Sequence, residues 1–187
     1  MSTPSIHSIF PYFKSRGYVP GGIVTNYKNE MFYMEQLPPF LRTLLVADGT
    51  VTKSLEAFFW EQIVVENLGQ ALTQLTRDSV ALDLPAGATV LERRIRLLGM
   101  ETRREFALAH SQVKLEALPT KLRDDLQQGG IGIGELLREY GLETYREILD
   151  IGPSDASGEQ IYRTYRIMIH HQVAIVITEI FPCNVYR

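Results

Sequence analysis

The chain has 187 residues, 45% hydrophobic and 22% charged, with a formal net charge of −3, which is the profile of one globular domain able to bury a sizeable core. The acidic balance and the lack of a basic stripe exclude a nucleic-acid-binding surface, and no stretch reaches the ~18–20 apolar residues that span a bilayer. Cys183 is the single cysteine, so no intramolecular disulfide forms, and with no secretory pattern in residues 1–14 a reducing, cytoplasmic location is expected.

Residues 1–30 carry Pro4, Pro11, Pro20 and Gly21-Gly22 and read as a largely irregular N-terminal arm; residues 31–187 read as the folded domain. Pro38-Pro39 opens a helix through Phe40, Leu41, Leu44 and Leu45, ended by Asp48-Gly49. Thr52 is the expected cap of a second helix from Lys53 to about Trp60, with Leu55, Phe58 and Phe59 on its apolar face. From Gln62 the period becomes that of a strand, through Ile63, Val65 and Leu68. A loop around Asp83 to Ala88 leads to a strand over 89–99, and a third strand follows over 106–115 with Ala107, Ala109 and Ser111 on one face. Helices are expected at 119–128 and 135–140, the second closed by Gly141. Strands follow at 144–151, 161–169 and 173–181, the last two joined by a tight turn at His170-His171-Gln172. Six strands, helices in two clusters and no strand–helix alternation predict a single α+β domain, a six-stranded antiparallel sheet with helices packed on it.

Two charges fall on apolar strand faces. Alternation puts Glu179 with Val173, Ile175, Ile177 and Phe181, while the opposite face, Ala174, Val176, Thr178 and Ile180, is almost as apolar. A carboxylate there is neutralised, paired with a cation or hydrogen-bonded to a ligand, unless it frays into solvent before Pro182. Arg93 shares a face with Leu91, Ile95 and Leu97, whereas Glu92, Arg94 and Arg96 share the other. An arginine and a glutamate facing one cavity would grip a small molecule with a carboxylate at one end and a hydroxyl at the other. A structural ion pair spanning the sheet is the competing reading.

Other chemistry is sparse. His7, His110, His170 and His171 stand in no metal-ligand spacing, so no metal site is expected, and there is no Gly-x-Ser-x-Gly elbow. The glycine-rich run 129–134 lacks the Lys-Ser/Thr ending and the preceding strand of a phosphate loop. It is either a plain interhelix connection or a backbone that closes over a ligand, with amides near Ile133 receiving a carboxylate.

Four stretches in order, Leu45 to Glu56 (LVADGTVTKSLE), Leu91 to Gly99 (LERRIRLLG), Gly132-Ile133-Gly134 before a Leu-rich helix, and Ile177 to Pro182 (ITEIFP), carry a resemblance. Over roughly residues 35–182 the chain resembles the chorismate pyruvate-lyase (4-hydroxybenzoate synthase) family, particularly its cyanobacterial and plastid branch. That resemblance implies a chorismate lyase-like domain over 31–187, with an enclosed ligand site beneath two flaps. It also implies cofactor-free conversion of chorismate to 4-hydroxybenzoate and pyruvate, feeding quinone synthesis, plastoquinone in a photosynthetic organism. Carried over, the carboxylate-binding arginine falls on Arg93, the hydroxyl-contacting glutamate on Glu179, and two flap contacts, mostly through backbone, on Val51 and Ile133. Val51 and Ile133 depart from the Met and Leu of the best-known bacterial form. The Arg93-Arg94 doublet leaves the register open by one residue, and alternation favours Arg93. Arg163 or Arg166, beside Glu179, is expected to meet the enolpyruvyl carboxylate, at least one of them being a surface charge. The alternative class is a non-catalytic domain binding an aromatic carboxylate, like the effector domains of HutC-type repressors, which resemble this fold. Those domains follow a winged-helix DNA reader, for which residues 1–60 are too short and too weakly basic.

Overall fold

The computed structural model describes residues 23–187. Of the expected N-terminal arm, residues 1–22 lie outside the described residues, and the remainder enters a small antiparallel hairpin of β1 (Ile23–Thr25) and β2 (Met31–Tyr33). The main sheet has six strands: β3 (Ile63–Gln74), β4 (Thr89–Gly99), β5 (Glu105–Val113), β6 (Thr144–Pro153), β7 (Gln160–Ile169) and β8 (Gln172–Pro182). Every neighbouring pair is antiparallel, in the order β3-β4-β5-β8-β7-β6. The chain leaves β5, crosses to the far edge for β6, and folds back so that β8 is inserted beside β5. That central placement explains why β8 is apolar on both faces: Ala174, Ile175, Val176, Ile177 and Phe181 are all buried.

Four helices are described. The first, α1 (Pro39–Val46), starts with Pro39 at its first position, where the missing N–H costs no hydrogen bond. It buries Leu41, Leu44 and Leu45 at helical spacing. The second, α2 (Val51–Phe59), has Thr50 rather than Thr52 as its N-cap and ends at Trp60, which takes a left-handed φ of 58°. Its start is set by burial: Val51 and Leu55, one turn apart, both face the core, and that contact extends the helix past the expected cap. Helices α3 (Thr120–Gln128) and α4 (Ile133–Glu139) are joined through Gly129 and Gly130, whose φ values of 79° and 86° turn the chain. α4 begins two residues earlier than the sequence suggests, so Ile133 is its first residue. No described helix is long and apolar enough to cross a membrane.

The helix-covered face carries two buried clusters. One gathers α1, α2, Phe106, Phe181 and Tyr186; the other gathers α3, α4, Tyr165, Ile167, Ile175 and Ile177. On the opposite face Leu82, Val90 and Val176 pack beneath the 75–88 segment.

The β1–β2 hairpin is pinned to β6 by polar contacts. The Tyr27 amide donates to Asp150 Oδ1 at 3.1 Å, and the Tyr162 hydroxyl donates to the same carboxylate. Burial pushes the Asp150 carboxyl above the usual carboxylate range, against the pull of those donors. Asn26 is locked beside it, its Oδ1 accepting the Lys28 and Glu30 amides at 3.0 and 2.9 Å. A Cβ on Gly152 would lie 2.6 Å from Asn26 Nδ2 and 3.0 Å from Asn26 Cβ. Gly152→Ala should therefore cost about 1–3 kcal/mol by overpacking, seen as a lower urea midpoint at unchanged slope. An unchanged midpoint would show that the hairpin shifts freely.

Candidate active site

Pleat alternation and register together build this site. On β4, Leu91, Arg93, Ile95 and Leu97 point to the helix-covered face, and on β8 Ile175, Ile177, Glu179 and Phe181 do the same. β5 lies between them. Its Ser111 is paired with Arg93 on one side and Ile177 on the other, and its Ala109 with Ile95 and Glu179. Two small side chains at the centre of the sheet leave a gap that larger residues would fill. The result is a cavity of about 70 Å³ whose walls come from both core clusters and include Val51, Arg93, Ile133, Arg146, Tyr165 and Glu179. A buried water needs roughly 10–15 Å³ of such space and represents ~30 Å³ of liquid. The cavity therefore has room for several such waters, the space of a small organic molecule.

Arg93 is 1% exposed. Its Nη2 donates to the Ile131 carbonyl at 2.7 Å, tying it to the glycine-rich connection, while its buried Nε has no acceptor among the described residues. Among the described residues no carboxylate pairs with it, and burial holds its pKa below the usual arginine value. An arginine remains charged even so. A desolvated guanidinium without an anion is destabilising by itself, and this one faces a cavity.

Glu179 lines the same cavity but already has a partner. Arg163 Nε donates to its Oε2 at 2.7 Å, and the Tyr165 hydroxyl donates to its Oε1 at 3.2 Å. The same Arg163 donates to the Leu44 carbonyl and, at 2.8 Å, to the Ala47 carbonyl, at the end of α1 where backbone acceptors are left over. Burial works most strongly against the Arg163 cation, but the Glu179 charge, the Tyr165 phenol and the hydrogen bonds to both together outweigh it, and the pKa stands above the ordinary arginine value. Burial, reinforced by Glu179, pushes the Tyr165 phenol up. The ion pair across the sheet therefore forms between Glu179 and Arg163, not between Glu179 and Arg93. Glu179 is 6% exposed and does not fray.

The structure brings Val51, Arg93, Ile133 and Glu179 together, with Val51 and Ile133 each the first residue of a helix. It does not bring Arg166 there. Arg166 has the opposite parity on β7 from Tyr165 and Ile167, and its Nε and Nη2 donate to Glu147 Oε2 at 2.8 and 2.7 Å. It lines a separate open groove on the other face of the sheet. Nor does Arg163 line the cavity, since its guanidinium is bound to Glu179 and to α1. A residue not singled out in the sequence, Arg146 of β6, does line it. Among the described residues no group of three or more His, Cys, Asp or Glu is arranged to hold a metal ion.

The family model for Rv2949c-like chorismate pyruvate-lyases matches residues 45–187. The chain belongs to this family. It is 29% identical over 159 residues to the chorismate pyruvate-lyase of Mycobacterium leprae, covering 79% of this chain and 76% of that one. With the chorismate pyruvate-lyase of Mycobacterium tuberculosis it shares 25% over 162 residues, covering 79% and 81%. Among solved structures, the effector domain of PhnF from Mycobacterium smegmatis superposes with a TM-score of 0.54 at 14% identity, over 74% of this chain and 91% of that one. The C-terminal domain of a histidine utilization repressor from Pseudomonas syringae gives 0.51 at 15%, over 67% and 95%. At those identities the likeness is one of fold alone. All the cavity residues named above, from Val51 to Glu179, lie within the chorismate pyruvate-lyase match.

Proposed function

We propose that this protein is a chorismate pyruvate-lyase that eliminates pyruvate from chorismate and releases 4-hydroxybenzoate without a cofactor. The observation that carries the reading is the buried Arg93, without a carboxylate partner among the described residues, facing the same cavity as the Glu179 carboxylate. Arg93 holds the ring carboxylate, with the backbone at Ile133 closing that end. A carboxylate offers about four lone-pair sites; Glu179 uses two on Arg163 and Tyr165, and keeps acceptor capacity for the C4 hydroxyl.

In the reaction the ether C–O bond at C3 breaks and its electron pair leaves with enolpyruvate. C4 loses its hydrogen as a proton, the C–H pair completes the aromatic sextet, and enolpyruvate takes up a proton to become pyruvate. Aromatisation supplies the driving force. The chain's share is to fix the ring in one orientation and to exclude water. The resemblance to the cyanobacterial and plastid branch belongs to this proposal, as do a cytoplasmic location and a product destined for quinone synthesis.

Incubation with chorismate should release 4-hydroxybenzoate and pyruvate in equal amounts, at a rate unchanged by dialysis against chelator. Arg94→Ala and Arg96→Ala should stay within about threefold of wild type, because those side chains are exposed or paired with Glu66 and Glu105. Binding of 4-hydroxybenzoate with no turnover of chorismate would assign the protein instead to the non-catalytic class of the same fold. Restoration of a lost rate by Mg²⁺ would refute the cofactor-free mechanism.

A further inference from the structure

We infer that Arg146 is the second anion contact of the cavity, binding the enolpyruvyl carboxylate of the substrate while Arg93 holds the ring carboxylate; the inference rests on the lyase reading above.

Three observations converge on Arg146. It lines the cavity, and its buried Nε has no acceptor among the described residues. Among the described residues no carboxylate pairs with it. Its position bridges the two segments that close the cavity: Nη1 donates to the Asp48 carbonyl in the α1–α2 connection, and Nη2 lies 3.7 Å from where a Cβ on Gly134 would sit at the start of α4.

The charges on the walls then select the ligand. Arg93 and Arg146 face the cavity as cations, Glu179 as an anion, and Glu179 is matched by Arg163 behind it. Among the described residues neither positive charge has a counter-ion; Arg93 is buried, which makes it costly to leave so, and Arg146 is half-buried with its Nε turned inward. A dianion with two separated carboxylates answers both, whereas a monoanionic ring acid answers one. Chorismate carries two carboxylates and 4-hydroxybenzoate one; the other departs with pyruvate. Arg146 is thus the residue that distinguishes substrate from product. A cation close to the departing group also favours the ether oxygen as it gains charge, so its removal should lower kcat as well as raise KM.

The test compares one variant against two ligands. Arg146→Gln should reduce kcat/KM for chorismate by about 10- to 100-fold while changing the Kd of 4-hydroxybenzoate by less than about threefold. Arg146→Lys should recover part of the loss by restoring the charge. Arg93→Ala, in contrast, should weaken both ligands. A variant that turns over chorismate like wild type overturns the inference, as does one that loses chorismate and 4-hydroxybenzoate equally.

Should Arg146→Gln not fold, the wild-type protein still decides. 4-Hydroxybenzoate bearing a carboxymethoxy arm at C3 should bind at least about tenfold tighter than the same compound with that carboxylate as a primary amide. Equal affinities would overturn the inference. A wild-type protein that neither turns over chorismate nor binds 4-hydroxybenzoate refutes the lyase reading itself, an outcome separate from all of these.

Discussion

Replacing Arg93 by methionine should leave the protein at least as stable as wild type and remove its affinity for aromatic acids. This guanidinium is 1% exposed, and among the described residues it has one backbone acceptor, an unbonded Nε and no carboxylate partner. The penalty for a desolvated ion is several kcal/mol, and a single hydrogen bond to a charged group returns about 1.5–3 kcal/mol. Methionine fills similar space with flexible apolar atoms and carries no such penalty. Ligand binding follows the opposite course. A buried charge-assisted contact to a carboxylate is worth about 2–4 kcal/mol, so the loss should be roughly 30- to 1000-fold. Thermal melts with and without 4-hydroxybenzoate separate the two effects. Wild type should gain stability with ligand concentration as RT ln(1 + [L]/Kd), and the variant should gain almost none while melting no lower when unliganded. A variant destabilised by about 3 kcal/mol or more would show Arg93 to be a structural residue, and the proposed site would lose its anchor.

Faces were legible in the sequence, whereas neighbours were not. Alternation alone put Arg93 and Glu179 each with the apolar residues of its own strand, and the doubly apolar run of β8 marked a strand covered on both sides. Which strands adjoin depends on long-range pairing, which local pattern does not encode. With β8 set between β5 and β7, Arg163 falls directly across from Glu179, while Arg93 is two strands away beyond Ala109 and Ser111. The small residues of β5 were visible in the sequence, but that they floor a cavity follows only from their register. Arg146 was hidden for another reason. A register shift between Ile148 and Asp150 changes the phase of β6, so counting back from buried Ile151 puts Arg146 on the wrong face. Thr50 replaced Thr52 as the cap of α2 because core contacts of Val51 outweighed a side-chain cap. The fold by itself leaves function open, since the effector domain of PhnF and the C-terminal domain of a histidine utilization repressor share it; the family match and the charges around the cavity are what favour a lyase.

Glu179→Gln should damage stability and turnover together, and a second substitution should separate the two. The Arg163–Glu179 pair is buried on both sides, at 1% and 8% side-chain exposure. Removing the carboxylate charge leaves the Arg163 cation with the Leu44 and Ala47 carbonyls and a neutral amide. Breaking such a pair costs about 3–5 kcal/mol, and the amide oxygen, still an acceptor, favours the lower end. Turnover should fall as well, by about ten- to thirtyfold if Glu179 only accepts the C4 hydroxyl and by a further ~10²–10⁴-fold if it also moves the proton. Lost stability alone would mimic the smaller effect. Adding Arg163→Met removes the stranded cation and puts apolar volume against Tyr165 and α1, so most of the stability should return, as it does when buried pairs are replaced whole. Urea melts and kcat/KM across the four proteins then give two coupling energies. The pair should couple strongly in stability and weakly in turnover, with the double variant folded and still slow. If the double variant recovers its rate along with its stability, Glu179 acts only by holding Arg163 in place, and the hydroxyl of the substrate must be met by another group.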